Sequence, residues 1–310
     1  MTRIRIATRA SELALVQARY VAGRIEEELQ VATQLVPLKT TGDRLQHVSL
    51  AEIGGKGLFV KEIEEALLDG RADVAVHSAK DLPVGLASGL ELVAFPQRED
   101  CRDALVAREP ETTLGSLPSG ARVGTGSARR GAQLQNRRTD LVIVPLRGNV
   151  PTRLRKLEDE NLDAVILACA GLVRLGLEQR IAERISPDWI LPAVAQGTLA
   201  IEARSGDPLT RDLAVLEDPQ TAASAAAERG FLRRLGGDCT VPLACLAEAG
   251  APGSLRVRGL VAALDGSRII RDELEVRVDE AASGGAGLAE RILAAGGDAL
   301  LAELRSETAG

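Results

Sequence analysis

The sequence predicts an α/β protein with two α/β units in succession and a smaller α+β domain behind them. Three observations predict it. Strand-like runs alternate with amphipathic helical stretches through the first two-thirds of the chain. That pattern restarts near Arg122. After Pro219 it gives way to one Ala-rich helix, three strand-like runs and a last helix. Alternation of this kind marks parallel units, whose ligands sit at the carboxyl ends of the strands. A chain of 310 residues is long enough for two or three domains with cores of their own.

In the first unit Arg3–Thr8 alternates as a strand, and Ser11 caps a helix with Leu15, Val16, Ala18, Ala22, Ile25 and Leu29 at helical spacing. Gln34–Leu38 reads as a strand, and the Gly-rich stretch around Ile53–Gly57 as a mobile loop. Leu58–Leu68 is an amphipathic helix that stops near Gly70, and Asp73–His77 is a short buried strand running into Lys80-Asp81-Leu82-Pro83. In the second unit strand Arg122–Thr125 leads to a helix from Ser127. Strand Leu141–Pro145 leads to a helix from Pro151, and strand Ala164–Ala168 to Gly171–Leu177. In the third, helix Thr221–Leu235 reaches the turn Gly236-Gly237-Asp238. Strands Val241–Ala247, Leu255–Ala263 and Ile269–Val278 follow, and a last helix begins near Gly287.

Composition excludes several classes. A net charge of −6 and 2% aromatic residues argue against a general nucleic-acid binder, which needs cations and stacking platforms. No apolar run approaches the roughly 18–20 residues that span a bilayer. Met1–Arg9 lacks the hydrophobic stretch of a secretory signal, so the expected location is cytoplasmic. Cys101, Cys169, Cys239 and Cys245 are scattered, and with only His47 and His77 no metal-ligand spacing emerges. A reducing compartment without structural disulfides is expected.

The charge pattern points to a ligand. Eight arginines and a single acid lie between Arg122 and Arg155. Arg129 and Arg130 follow the cap Ser127, and Arg153 follows Pro151. A helix amino end already carries partial positive charge, so arginine there is unfavourable by a few tenths of a kcal/mol. Lysine supplies only five of the 38 cations, a bias a GC-rich genome explains, but such a bias does not collect arginine at helix starts. An external anion with several carboxylates or phosphates would offset the cost. The competing reading pairs these arginines with acids distant in sequence.

Three constellations carry the chemistry. Gly124-Thr125-Gly126-Ser127, at a strand-to-helix junction, offers N–H donors and hydroxyls to an anion. It matches neither the dinucleotide fingerprint nor the P-loop. Asp81, just past a buried strand, either pairs with Lys80, caps a helix, or stabilises a cation that develops on a bound substrate. Cys239 sits on a Gly-Gly turn between helix and strand, where nearby arginines would favour its thiolate; no histidine adjoins it to complete a Cys-His pair.

In this order and register the chain resembles the porphobilinogen deaminase (hydroxymethylbilane synthase) family. The resemblance is carried by Arg5–Ser11 (RIATRAS), Gly54–Glu62 (GGKGLFVKE), Ala75–Asp81 (AVHSAKD), Leu146–Leu154 (LRGNVPTRL), Ala170–Gly176 (AGLVRLG), Gln196-Gly197 and Cys239. It implies three domains: 1–97 with 198–217, 98–197, and 218–310. The first two would share the fold of periplasmic binding proteins and enclose a cleft. It further implies a dipyrromethane cofactor on Cys239 through a thioether, to which four porphobilinogen units are added with loss of ammonia. Hydrolysis then releases hydroxymethylbilane. By the same resemblance Lys80, Asp81, Thr125, Ser127, Arg129, Arg130, Arg147, Arg153, Gln196 and Gly197 bind the cofactor. Arg9, Ser11, Gln17, Arg147, Arg153 and Arg174 bind substrate, Asp81 is catalytic, the loop at 43–57 closes the cleft, and the enzyme is a monomer without metal.

That chemistry accounts for the arginines, because each porphobilinogen brings an acetate and a propionate. Loss of ammonia leaves an azafulvene whose positive charge a carboxylate at the pyrrole N–H would stabilise. Three positions depart from the family. Gly126 stands where Ser is common, removing a hydroxyl. Asp238 stands where Gly is usual, with Gly236 in place of Glu, and Asp238 tends to raise the thiol pKa. Ala195 replaces a Gly seen in some relatives. A non-catalytic anion-binding module and a Cys-dependent acyltransferase are the alternatives, told apart by ammonia release and by whether the thiol of Cys239 is blocked.

Overall fold

The computed structural model describes residues 3–41, 60–236 and 241–309; the Gly-rich stretch of 43–57 and the Asp238-Cys239 pair lie outside them. The first unit comprises β1 (Ile4–Arg9), α1 (Glu12–Leu29), β2 (Thr33–Leu38), α2 (Lys61–Leu68), β3 (Val74–Ser78) and β4 (Leu90–Ala94). Ser11 caps α1, its Oγ accepting from the Ala14 N–H. Residues Ala14, Gln17, Ala18, Val21, Ala22 and Ile25 keep three-to-four spacing and form the buried stripe of α1.

The chain then crosses to a second unit of β5 (Asp103–Ala107), β6 (Arg122–Thr125), α3 (Ala128–Arg137), β7 (Val142–Pro145), α4 (Val150–Asp159), β8 (Ala164–Ala168), α5 (Cys169–Arg174) and β9 (Glu183–Ile185). It returns to the first sheet as β10 (Leu199–Arg204), followed by α6 (Leu209–Leu213).

The two sheets repeat one plan. Their orders are β2-β1-β3-β10-β4 and β7-β6-β8-β5-β9. In each, the first three strands run parallel and the fourth is antiparallel to both neighbours. The fourth strand is always the one that has just crossed from the other unit. The expected parallel units are present, and the crossing strands add an antiparallel component that the alternation did not reveal. Every residue of β5 is buried, as befits a strand covered on both faces. Separate apolar clusters fill the two faces of each sheet.

The third unit begins with α7 (Pro219–Leu235), capped by Asp218, whose Oδ1 accepts from the Thr221 N–H at 2.7 Å. A three-stranded antiparallel meander follows, β11 (Leu243–Ala249), β12 (Ser254–Ala262) and β13 (Ile269–Arg277), then α8 (Ala281–Ile292) and α9 (Asp298–Ala309). The last helical region therefore starts at Ala281, six residues before the expected Gly287. The cause is close helix contact: a Cβ on Gly285 would overlap the carbonyl of Ala227, and one on Gly230 that of Ala282. These glycines let α7 and α8 touch rather than break a helix. In α4 the cap is Asn149, whose side chain accepts from the Thr152 N–H at 2.9 Å, so Pro151 is the second helical residue and not the first.

The two crossings are fastened together. Arg98, in the outgoing one, forks the buried carboxylate of Glu228 on α7 at 2.7 and 3.2 Å, and its Nε donates to the Gln196 carbonyl in the returning one at 2.9 Å. The same Glu228 carboxylate accepts from the N–H groups of Ala195 and Ala247. One charge on the third unit thus holds both links between the other two.

Candidate active site

The parallel strands of both units deliver their carboxyl ends to two adjoining cavities. The first is lined by Arg9 and Ser11 from the β1–α1 junction, Gln17 from α1, and His77, Ser78 and Asp81 from the end of β3. The second is lined by Gln17, Ser78, Lys80, Arg130, Arg153, Arg174 and Gly197, together with apolar atoms of both units. Gln17 and Ser78 belong to both, and the Gln17 amide donates to the Ser78 hydroxyl at 3.0 Å. Among the described residues the second cavity presents four cations and no carboxylate.

Lys80 is half-buried, and its ammonium lies 3.5 Å from the Gln196 side-chain oxygen. Burial pushes it down to about 8; Asp81 and Asp103 oppose that shift and Arg130 and Arg129 add to it. Arg153 donates to the Gly148 carbonyl at 2.8 Å. Burial, reinforced by Arg130 and Arg147, lowers it to about 10. Arg174 donates to the Gly197 carbonyl at 2.6 Å and is lowered by burial. Cations crowded and desolvated in this way are poised to bind anions, which would remove the crowding.

Behind that wall lies Asp103, fully buried at the start of β5. Arg129 reaches it at 2.7 Å and Arg130 at 2.7 Å, and the Gln196 amide donates to it at 2.9 Å. Arg129 also donates to the Leu191 carbonyl at 2.7 Å. Burial alone would raise the Asp103 pKa, but the two guanidinium groups outweigh it and hold the carboxyl far below its usual range. For Arg129 and Arg130, then, pairing with a distant acid is what the structure has, a correction to the inference that every helix-start arginine faces a ligand. One carboxylate shared by two guanidinium groups still leaves a positive excess, and Arg130 reaches the cavity.

Thr125, Ser127, Arg129, Arg147 and Gln196 line neither cavity. Thr125 Oγ1 accepts from the Ser127 N–H at 3.2 Å, and the Ser127 hydroxyl makes no capping bond. Arg147 is exposed, and its charge is felt at Arg153. At Gly126 a Cβ would collide with the Leu146 carbonyl, so the missing hydroxyl goes with a backbone approach that only glycine permits here. Cys239 and Asp238 lie outside the described residues. The described neighbours on either side, Leu235 and Val241, pack in the same apolar cluster as Ala79 and Leu82, which flank the Lys80-Asp81 turn. Sequence reasoning missed Asp103. Its one signal is a carboxylate opening an otherwise apolar strand.

The model of the porphobilinogen deaminase dipyromethane cofactor binding domain matches residues 4–212, and that of the porphobilinogen deaminase C-terminal domain matches residues 222–294. The chain belongs to the porphobilinogen deaminase family. The porphobilinogen deaminase of Syntrophotalea carbinolica is 52% identical over 303 residues, covering 97% of this chain and 96% of that one. That of Pelobacter propionicus is 50% identical over 304 residues, covering 97% of each. That of Roseiflexus castenholzii is 50% identical over 299 residues, covering 96% and 98%. Among solved structures the VFT2 domain of Bordetella pertussis BvgS is 16% identical with a TM-score of 0.40, over 69% of this chain and 85% of that one; no argument rests on so remote a likeness. Among the described residues no helix is long and apolar enough to cross a membrane, and no group of three or more His, Cys, Asp or Glu is placed to hold a metal ion.

Proposed function

We propose that the chain polymerises four porphobilinogen molecules head to tail on a dipyrromethane primer held by Cys239, losing one ammonia per unit and releasing hydroxymethylbilane by hydrolysis. The observation that carries this reading is the second cavity, walled by Lys80, Arg130, Arg153 and Arg174 without an acid among the described residues, beside the first cavity, which Asp81 lines. The donor chemistry of that wall fits a chain of carboxylate-bearing pyrroles. When bound, dipyrromethane supplies the pyrrole end to which units are joined.

The cationic wall binds and orients carboxylates, with Arg147, Thr125 and Ser127 at its edge and Arg129 and Gln196 fixing Asp103 beneath it. Arg9, Ser11 and Gln17 hold the incoming substrate. Asp81 faces the positive charge that develops as ammonia departs. A thioether at Cys239 suits repeated turnover because it resists hydrolysis. We assign three domains, 1–97 with 198–217, 98–197 and 218–310; the two crossings and the Asp218 cap support these limits. The enzyme is taken to work as a cytoplasmic monomer.

Intact mass spectrometry tests the assignment together with ammonia release. The purified chain should exceed its sequence mass by one dipyrrole, Cys239→Ser should remove the excess, and porphobilinogen should be consumed with one ammonia per unit. An unmodified mass in protein that releases ammonia would exclude the covalent primer. A chain that binds porphobilinogen and releases no ammonia would be a binding module instead.

A further inference from the structure

The strand leading to Asp81 carries a second ionisable pair that the roles above leave unused. His77 is 6% exposed, and its Nε2 lies 2.9 Å from Oε2 of Glu202, which is fully buried within β10. The other oxygen of that carboxylate is buried without a hydrogen-bond partner. A buried carboxylate half satisfied in this way is costly unless a proton or cation is held against it. The imidazole is the group in reach. Its second nitrogen, Nδ1, has no hydrogen-bond partner among the described residues, and His77 lines the first cavity with Arg9, Gln17 and Asp81.

The other charges facing the pair are few. Glu64 on α2 feels both Glu202 and His77, and burial raises its carboxyl. Arg229 on α7 feels Glu202 while donating to the carbonyls of Pro83 and Val84 at 3.0 and 3.1 Å. Asp81 and Arg9 stand across the cavity. A ring nitrogen fixed on a carboxylate, with the other nitrogen unpartnered on a residue that lines a cavity, is the arrangement of a general base with its orienting acid.

We propose that His77, oriented by Glu202, is the proton acceptor of the condensation. The inference rests on the function proposed above and adds a residue to it. Each cycle breaks the C–N bond of a protonated aminomethyl group, whose electron pair leaves with neutral ammonia. The new C–C bond forms, and the pyrrole carbon that makes it loses its proton, the C–H pair returning to the ring. Nδ1 of His77 takes that proton while Glu202 stabilises the imidazolium, and ammonia carries the proton away as ammonium.

The test combines tautomer and rate. In protein with 15N-labelled histidine at about pH 8.5, His77 should carry its proton on Nε2 with Nδ1 bare. Its signal is identified by loss in His77→Gln or, should that variant not fold, by persistence in His47→Gln. A proton on Nδ1 with Nε2 bare would overturn the proposal. In kinetics His77→Gln should lower kcat at least about 100-fold, within the usual range for a lost general base, with little change in KM and with loss of the acidic limb of the kcat–pH profile. Glu202→Gln should lower kcat about tenfold and displace that limb. Wild-type chain without ammonia release sinks the polymerase reading and this chemistry with it. Active wild type beside equally active His77→Gln sinks this proposal alone.

Discussion

The two five-stranded sheets share a strand order and differ in what they set at their strand ends. The first presents a mixture: Arg9 after β1, then His77, Ser78, Lys80 and Asp81 at the end of β3. The second presents cations almost alone, with Arg129 and Arg130 after β6, Arg147 and Arg153 after β7 and Arg174 after β8, its acid Asp103 sealed below. On the roles proposed above, one topology makes a wall that reacts and a wall that holds. The fold determines where site residues come from, and the side chain at each strand end determines the task.

The sharpest way to break this contrast is to exchange the consequences of its two acids. Asp103→Asn leaves the guanidinium groups of Arg129 and Arg130 buried without their counter-ion. Removing one partner of a buried ion pair costs about 3–5 kcal/mol, so the urea midpoint should fall accordingly or the chain should not fold. Asp81, by contrast, is exposed at the cavity rim. Asp81→Asn should leave the unfolding free energy within about 0.5 kcal/mol of wild type. It should lower turnover on the order of 10²–10³-fold, the usual range for losing one group that stabilises developing charge. If Asp81→Asn unfolds the protein, or Asp103→Asn affects only rate, the division of labour is wrong.

A smaller effect distinguishes holding from folding at Lys80. Its folded pKa of about 8 lies below the ordinary 10.5, so between those values the unfolded chain binds more protons than the folded one. Stability of the ligand-free protein should therefore rise with pH across that window. Anion binding needs the charged ammonium, so KM for porphobilinogen should rise as pH passes about 8. Stability thus rises with pH while affinity falls, and both trends should vanish in Lys80→Gln. A thermal midpoint that falls across the window, relative to that variant, would show that the charge supports the fold rather than the ligand.

What the sequence revealed was mainly local. Strand Arg122–Thr125 and strand Ala164–Ala168 were legible to the residue because each is a short run that passes directly into a helical stretch. The crossing strands β5 and β10 were not, since a short run buried on both faces has no period to detect. The last helix was placed near Gly287 because a sequence does not disclose that a neighbouring helix lies against Gly285. The arginines at the start of α3 were read as a call for an outside anion, yet their partner is an acid 26 and 27 residues upstream, brought in by the outgoing crossing. Arg153, the other arginine at a helix start, fits that expectation better, its guanidinium donating to the Gly148 carbonyl beside the cavity.

The smallest effect concerns the returning crossing, which joins the two walls. Ala195 is fully buried with φ +55°, the left-handed region that disfavours a side chain by about 1–2 kcal/mol. Its N–H is held by Glu228, so the strain is maintained by the same carboxylate that binds Arg98. Ala195→Gly would release that strain. It would also lose a buried methyl worth about 0.8 kcal/mol and loosen the unfolded chain by about 0.4–1 kcal/mol. These contributions nearly cancel, and the unfolding free energy from urea titration should move by no more than about 0.5 kcal/mol. In ordinary backbone the same substitution would lack the compensating relief and cost about 1–2 kcal/mol. A loss of that size would mean that the crossing is unstrained and that Glu228 fastens it without distorting it.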